Sequence, residues 1–328
     1  MSLNVSIIIP IRNEERFITR CLKSILQQSV KPDEIIVVDG RSTDQTREII
    51  RQFMITYPQI QLLDNPQQTA PYAMNLGVQA STGEIILRVD GHCEIAPDYI
   101  ERCLETLHKT GAGCVGGPLR NEGETYWAKA IALAMSSPFG VGNALFRYAQ
   151  QAMEVDTLAF GAYHRSVIEQ VGPFNEELTR NQDDEYNYRV RAAGYKIWLD
   201  PRIRSTYYTR SNLRSLWKQY FQYGYFKVKV MRIYPKSIQI RHLVPGLFVL
   251  ALTASSLLSF ITPWGLAALL LILLPYLSLN IFFSLRQSSQ QFNYLIALII
   301  IFPTLHLAYG YGFWFGLIQA ILHPKKPI

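Results

Sequence analysis

The sequence predicts an α/β domain built on a mostly parallel sheet, followed by interfacial and transmembrane helices. Three observations carry this expectation. Short apolar, β-branched runs alternate with helix-patterned segments through the first 120 residues; acidic residues stop at Asp200; and three long stretches almost free of charge follow. Strands this apolar, separated by helices, belong to a sheet covered on both faces. The expected organisation is a cytosolic α/β domain over 1–200, basic aromatic interfacial helices over 201–242 and a transmembrane region over 243–328.

The elements follow in order. "VSIIIPI" (5–11) reads as the first strand, and Asn13 suits the N-cap of a helix whose buried stripe is Phe17, Cys21, Leu22, Ile25 and Leu26. "EIIVVD" (34–39) is the second strand, and Asp44 is expected to cap a helix reaching about Met54. "IQLLD" (60–64), a helix around Tyr72–Ala80, "EIILRV" (84–89), a helix from Asp98 to His108 and "AGCVGG" (112–117) complete the alternation. The opening "MSLNVSIIIPIRNEE" has no basic n-region and an apolar run only a strand long, so it reads as a strand rather than a cleavable signal.

Sheets of this kind bind ligands at the carboxyl ends of their strands. That rule selects Pro10–Glu14, Asp39–Asp44 and Asp90–His92. No G-x-G-x-x-G follows the first strand and no GxxxxGK[ST] occurs, which disfavours a dinucleotide site and a P-loop ATPase. In "ILRVDGH", Asp90 and His92 are two apart on a turn. A carboxylate with an imidazole suits Mn²⁺ or, less ideally, Mg²⁺; an ordinary Asp-Gly turn is the alternative. Asp39, at the tip of its strand, has a carboxylate suited to a nucleobase N–H or a ribose hydroxyl, or to a simple turn. A further acidic cluster, "NQDDE" (181–185), begins an amphipathic helix. The helix dipole accounts for one acid there, and clustered carboxylates also raise one another's pKa toward the range of a general base.

Charge is divided unevenly. Residues 1–200 hold all 25 acidic residues, whereas the rest of the chain holds 13 of the 32 Lys and Arg and no acid. A basic segment leading into apolar runs at Leu243–Ile261, Trp264–Leu285 and Phe292–Leu322 reads as a membrane surface followed by membrane, each run being long enough at about 20 residues per span. "SLWKQYFQYGYFKVKVMRIY" (215–234) is expected to lie flat on anionic headgroups rather than to bind nucleic acid. "YWAKAIALAMSSPFGVGNALFR" (126–147) is apolar but carries Lys129, Pro138 and two glycines, which suits an acceptor-facing loop or interfacial helix. His306 with its neighbouring small residues is expected to serve helix packing through glycine, a lipid-binding role being the alternative. The positive-inside rule favours Arg286 on the inner side, while Lys325 and Lys326 fall outside in a three-span arrangement and Pro263 permits a re-entrant hairpin. The four cysteines lack zinc spacing and read as reduced apolar residues.

Together, "SIIIPIRNEE", "IIVVDGRSTDQT", "ILRVDGH" and "RNQDDEYNYRVRAAGYKIW" resemble the successive motifs of the inverting family-2 glycosyltransferases, which share the Rossmann-like GT-A fold. "LRVDGH", "SPFGVGNALFR", "VDTLAFGAYHR" and "NQDDE" are similar to the succinoglycan-biosynthesis glucosyltransferase branch of bacterial exopolysaccharide enzymes. The resemblance implies a UDP-sugar donor, UDP-glucose in the succinoglycan branch, and a polyprenyl-diphosphate-linked oligosaccharide acceptor at the bacterial inner (cytoplasmic) membrane, with the catalytic domain in the cytosol. It implies that Asp39 contacts uracil, that Pro10, Asn13 and Glu14 line the nucleotide, and that Asp90 and His92 occupy the Asp-x-Asp metal positions. The family's Glu-Asp pair falls on Gln182 and Asp183, so Asp183 is the implied general base and Asp184 its runner-up. Processive synthases carry Gln-x-x-Arg-Trp; here Gln222 and Tyr223 stand at the Arg and Trp positions, which favours transfer of one sugar per encounter. A polyprenyl-phosphate sugar transferase and a noncatalytic membrane scaffold are the rival readings.

Overall fold

The computed structural model describes residues 3–289 and 291–323, so Lys325 and Lys326 of the topology argument lie outside the described residues. The chain forms two compact units, Met1–Arg120 with Leu145–Tyr207, and Asn121–Ala144 with Tyr208–Ile328.

In the first unit the strands are β1 (Val5–Ile11), β2 (Glu34–Asp39), β3 (Ile60–Asp64), β4 (Ile85–Arg88), β5 (Cys93–Ile95), β6 (Cys114–Gly116), β8 (Met153–Glu154), β9 (Ala162–His164), β10 (Ile197–Leu199) and β11 (Ser205–Tyr208). At β7 (Leu119–Glu122), and again at Tyr208, the last residue of β11, the chain passes from the first unit to the second. Helices α1 (Ile18–Leu26), α2 (Thr46–Thr56), α3 (Ala70–Ala80), α4 (Tyr99–Thr110), α7 (Arg165–Val171) and α8 (Gln182–Ala192) belong to the first unit. The main sheet has the order β3-β2-β1-β4-β9-β6-β10-β8. β3, β2, β1 and β4 are mutually parallel, with Ile11 opposite Asp39 and Ile8 opposite Arg88. Beyond them β9 runs antiparallel to both β4 and β6, which makes the whole sheet mixed.

Burial explains the strand composition. Ile7, Ile8 and Ile9 are all fully buried, so β1 is covered on both faces and has no use for a polar alternation. Ile8, Ile36, Val38 and Ile86 meet Ala73 and Met74 of α3 in a core that continues through Tyr186 and Val190 of α8. Asp44 caps the start of α2 as expected, its carboxylate accepting the Thr46 N–H at 3.0 Å while Gln45 already has helical backbone angles. One cap differs from expectation: Phe17 stands before α1, because Asn13 is taken into a contact between loops.

The second unit contains α5 (Tyr126–Met135), α6 (Pro138–Val141), α9 (Leu213–Ile233), α10 (Ile240–Ser259), α11 (Pro263–Ser288) and α12 (Leu295–Leu322). Three segments, Ile240–Ser259, Pro263–Ser288 and Phe292–Leu322, are long and apolar enough to cross a membrane. Leu257, Leu271, Leu274, Phe282, Ile296 and Ile318 are exposed, a run of apolar surface that suits lipid rather than water.

The basic aromatic helix α9 has one face committed to α12. Glycine makes the approach possible: a Cβ at Gly312 would fall 2.0 Å from the Phe221 carbonyl oxygen, and one at Gly224 would fall 2.1 Å from that of Tyr309. On the other side of α12, a Cβ at Gly310 would meet the Pro245 carbonyl oxygen at 2.4 Å. His306 joins α6 and α11 as well, its Nε2 lying 2.7 Å from the Phe139 carbonyl oxygen and its Nδ1 2.9 Å from the Tyr276 hydroxyl. With Nε2 donating to the carbonyl, Nδ1 is the acceptor for Tyr276, so the neutral ring is satisfied on both sides.

Two outcomes follow from this packing. Gly312→Val is expected to separate α9 from α12 and to lower stability by about 1–3 kcal/mol, read as a lower thermal midpoint in detergent. All four cysteines are free and buried. Burial pushes the Cys114 thiol up to about 12 and the Cys103 thiol well above its ordinary range. The unfolded thiols lose their protons near pH about 8.5 while the folded ones keep them. The stabilisation is therefore whole below that pH and is lost as pH rises. The thermal midpoint should fall between pH 8 and 10, less steeply in Cys103→Ala, and neither thiol should react with a thiol reagent at pH 8 before unfolding.

Candidate active site

The site is built from the carboxyl ends of β1, β2 and β4 and from the first turn of α8. The loops after β1 and β2 are laced together. Asn13 adopts a left-handed backbone with φ of 56°, a conformation that asparagine tolerates better than most residues. Its N–H donates to Ser42 Oγ at 2.8 Å, and its Oδ1 accepts the Thr43 N–H at 2.8 Å. The Glu14 N–H donates to Thr46 Oγ1 at 2.8 Å. Pro10 lies opposite Val38 in the parallel register, one residue before Ile11 meets Asp39.

Asp39 is fully buried. Its carboxylate accepts from the Ser42 N–H at 3.1 Å and from the Ser42 hydroxyl, and it lies 3.4 Å from Arg47 Nη1. Arg47 also reaches Asp64 at 3.2 Å. These contacts hold the β2 loop in shape.

The turn after β4 packs against β1. His92 Nδ1 lies 2.9 Å from Glu14 Oε1, and its ring meets Tyr207 edge-on at 5.1 Å. A carboxylate on one imidazole nitrogen fixes the orientation of the ring, as it does for histidines that bind metals. Cys21 Sγ donates to the Asp90 carbonyl oxygen at 3.6 Å. Gly91 admits this close fit, because a Cβ there would fall 2.5 Å from Ile11 Cγ2 and 3.3 Å from Glu14 Cγ.

Arg88 closes the constellation. It ends β4 with its side chain only 6% exposed. Nε and Nη2 donate to Asp90 Oδ1 at 3.1 and 2.9 Å, and Nη1 contacts Asp183 Oδ1. Asp90 and Asp183, far apart in sequence, thus meet on one guanidinium. Asp183 and Asp184 are half-buried in the first turn of α8, whereas Glu185 is fully buried and paired with Arg189 at 2.7 Å. Asn181, just before the helix, is left-handed with φ of 59°. Arg88 and Arg47 were not singled out by the sequence reading. The signal for Arg88 was present, since a charge inside the apolar run "EIILRV" must find partners once that strand is buried.

The model of glycosyl transferase family 2 matches residues 6–172. The chain belongs to this family. It is 28% identical over 312 residues to the succinoglycan biosynthesis protein ExoA of Rhizobium meliloti, covering 94% of this chain and 93% of that one. It is 29% identical over 329 residues to the dolichyl N-acetyl-alpha-D-glucosaminyl phosphate 3-beta-D-2,3-diacetamido-2,3-dideoxy-beta-D-glucuronosyltransferase of Methanococcus voltae, covering 96% of this chain and 97% of that one. Among solved structures it is similar to the mannosyltransferase PcManGT of Pyrobaculum calidifontis in complex with GDP-Man and Mn²⁺, with a TM-score of 0.59, 18% identity and coverage of 99% and 89%. That likeness establishes the GT-A fold.

The Gly91 contact yields a prediction. Gly91→Ala should lower stability by about 1–3 kcal/mol through overpacking against Ile11 and Glu14, measured as a shift in thermal midpoint. An unchanged midpoint would show that the turn does not need its present approach to β1.

Proposed function

We propose that this family-2 glycosyltransferase moves one sugar from a UDP-sugar to a lipid-linked oligosaccharide, with inversion at the anomeric carbon. The observation that carries the reading is the meeting of Asp90 and Asp183 at the carboxyl end of β4, beside the laced loops after β1 and β2. Those loops offer Pro10, Asn13, Glu14 and Asp39 to the nucleotide. The donor we favour is UDP-glucose, on the resemblance of "LRVDGH" and "NQDDE" to the succinoglycan branch. A lipid-linked carrier is supported by the apolar C-terminal helices and by the dolichyl phosphate in the name of the M. voltae relative; the diphosphate form is favoured on the resemblance to the succinoglycan branch. The proposed place of action is the cytosolic face of a bacterial inner membrane, with the basic face of α9 near anionic lipids.

The donor set fits a divalent ion shared with a diphosphate. Asp90 brings a carboxylate and His92 an imidazole already oriented by Glu14. Among the described residues no group of three or more His, Cys, Asp or Glu is gathered to hold an ion, so the other ligands would be phosphate oxygens and water. Asp90 and His92 would hold Mn²⁺ or Mg²⁺, whose charge would neutralise the leaving diphosphate. Asp183 takes the proton from an acceptor hydroxyl, and that oxygen attacks the anomeric carbon from the face opposite UDP. The carbon–oxygen bond to UDP breaks as the new one forms, so one displacement inverts the centre without a covalent sugar–enzyme intermediate.

The test is single-turnover transfer by the full chain in detergent with saturating UDP-sugar and lipid acceptor, and mass spectrometry of the product. Asp183→Asn should keep UDP-sugar affinity within a few-fold while turnover falls by roughly 10²–10⁴. Full activity in both Asp183→Asn and Asp184→Asn would reject the acidic turn as the base, and full activity in Asp183→Asn with a dead Asp184→Asn would move the base by one residue. Asp90→Asn should abolish metal-dependent donor binding, and His92→Ala should weaken Mn²⁺ affinity. Unchanged metal dependence in both variants would remove them from the donor site.

A further inference from the structure

We infer that Arg88 is a positioning residue of the transfer reaction, holding the Asp183 carboxylate beside Asp90. The inference deepens the reading above and rests on Asp183 as the base. The geometry is specific. One edge of the guanidinium, Nε and Nη2, is spent on Asp90 Oδ1, and the remaining nitrogen, Nη1, faces Asp183 Oδ1. The planar fork makes the two carboxylates' orientations depend on each other, which a lysine ammonium cannot do because it is a point charge on a flexible stem.

The support of the fork is itself rigid. The Arg88 N–H donates to the Gly161 carbonyl oxygen at 3.1 Å, and its strand lies between β1 and β9. α8 is anchored in the core through Tyr186, Asn187 and Val190, and it meets the site through its first turn, just after left-handed Asn181. Arg88 therefore transmits the position of the sheet to a carboxylate on a helix end. Without the cation, Asp90 and Asp183 would face each other as like charges, and Asp183 would turn away from the acceptor hydroxyl. Misplacement of a reacting group by about 1 Å is enough to cost about 10²-fold in rate.

The experiment uses the full-length protein in detergent and reads three quantities for each variant: single-turnover rate at saturating donor and acceptor, UDP affinity by calorimetry with Mn²⁺ present, and thermal midpoint. Arg88→Lys should lower the rate by about 10–100-fold while UDP affinity stays within about threefold. The decisive comparison is Arg88→Lys combined with Asp183→Asn. If Arg88 acts through Asp183, the double variant is no slower than Asp183→Asn alone, within about threefold; independent action multiplies the two losses. Multiplied losses, an undiminished rate in Arg88→Lys, or a fall in UDP affinity equal to the fall in rate would each overturn the inference. Arg88→Gln is the second variant should Arg88→Lys not fold, with the same expected split. Failure of both to fold makes Arg88 a structural residue and overturns the positioning role. A wild-type protein that binds UDP and transfers sugar while Asp183→Asn keeps its rate defeats the assignment of the base, an outcome separable from a normal Asp183→Asn defect with multiplied Arg88 losses.

Discussion

A guanidinium buried at the end of a β-strand has to be surrounded by negative charge. Arg88 is nearly inaccessible to water, and an uncompensated charge in such a place costs several kcal/mol. The compensation comes from Asp90 on the following turn and Asp183 on α8. The same pairing brings a carboxylate from the helix to the sheet end where the laced loops and His92 already lie. Neutralising the buried charge and assembling the site are therefore one event.

The surrounding contacts have a common logic, in which short polar side chains replace secondary structure in holding the strand ends. Asn13, Ser42, Thr43 and Thr46 tie the loops after β1 and β2 to each other, and Glu14 ties His92 to β1. Gly91 is needed because the turn carrying Asp90 and His92 closes onto Ile11. In the second unit glycine has the same geometric use for another purpose, since Gly224 and Gly312 let two helix backbones approach closely along α9 and α12.

Much of the architecture was legible because parallel strands covered on both faces have to be apolar throughout. "VSIIIPI" and "EIIVVD" announce β1 and β2 almost to the residue. The antiparallel β9 was not read, because three residues, Ala162–His164, carry too little pattern and owe their place to β4 and β6. Asp44 was legible as a helix cap and serves as one, accepting the Thr46 N–H. Asn13 looked equally suitable but is engaged across to the loop after β2, since a cap preference is worth only about 1 kcal/mol and loop contacts outweigh it.

By itself, the sequence determined the α/β class, the strand-end positions where Pro10, Asn13, Glu14, Asp39, Asp90 and His92 would fall, the acidic turn at Asp183, and the apolar helices that close the chain. These are local properties, set by hydrophobic period and by residue type, and each can be read within a window of some twenty residues. Only the tertiary structure decided that Asp90 and Asp183 share Arg88, that Glu14 orients His92, and that Glu185 is spent on Arg189. Such pairings join residues far apart along the chain or choose among adjacent acids. No local pattern records which carboxylate a folded sheet will bring to which cation.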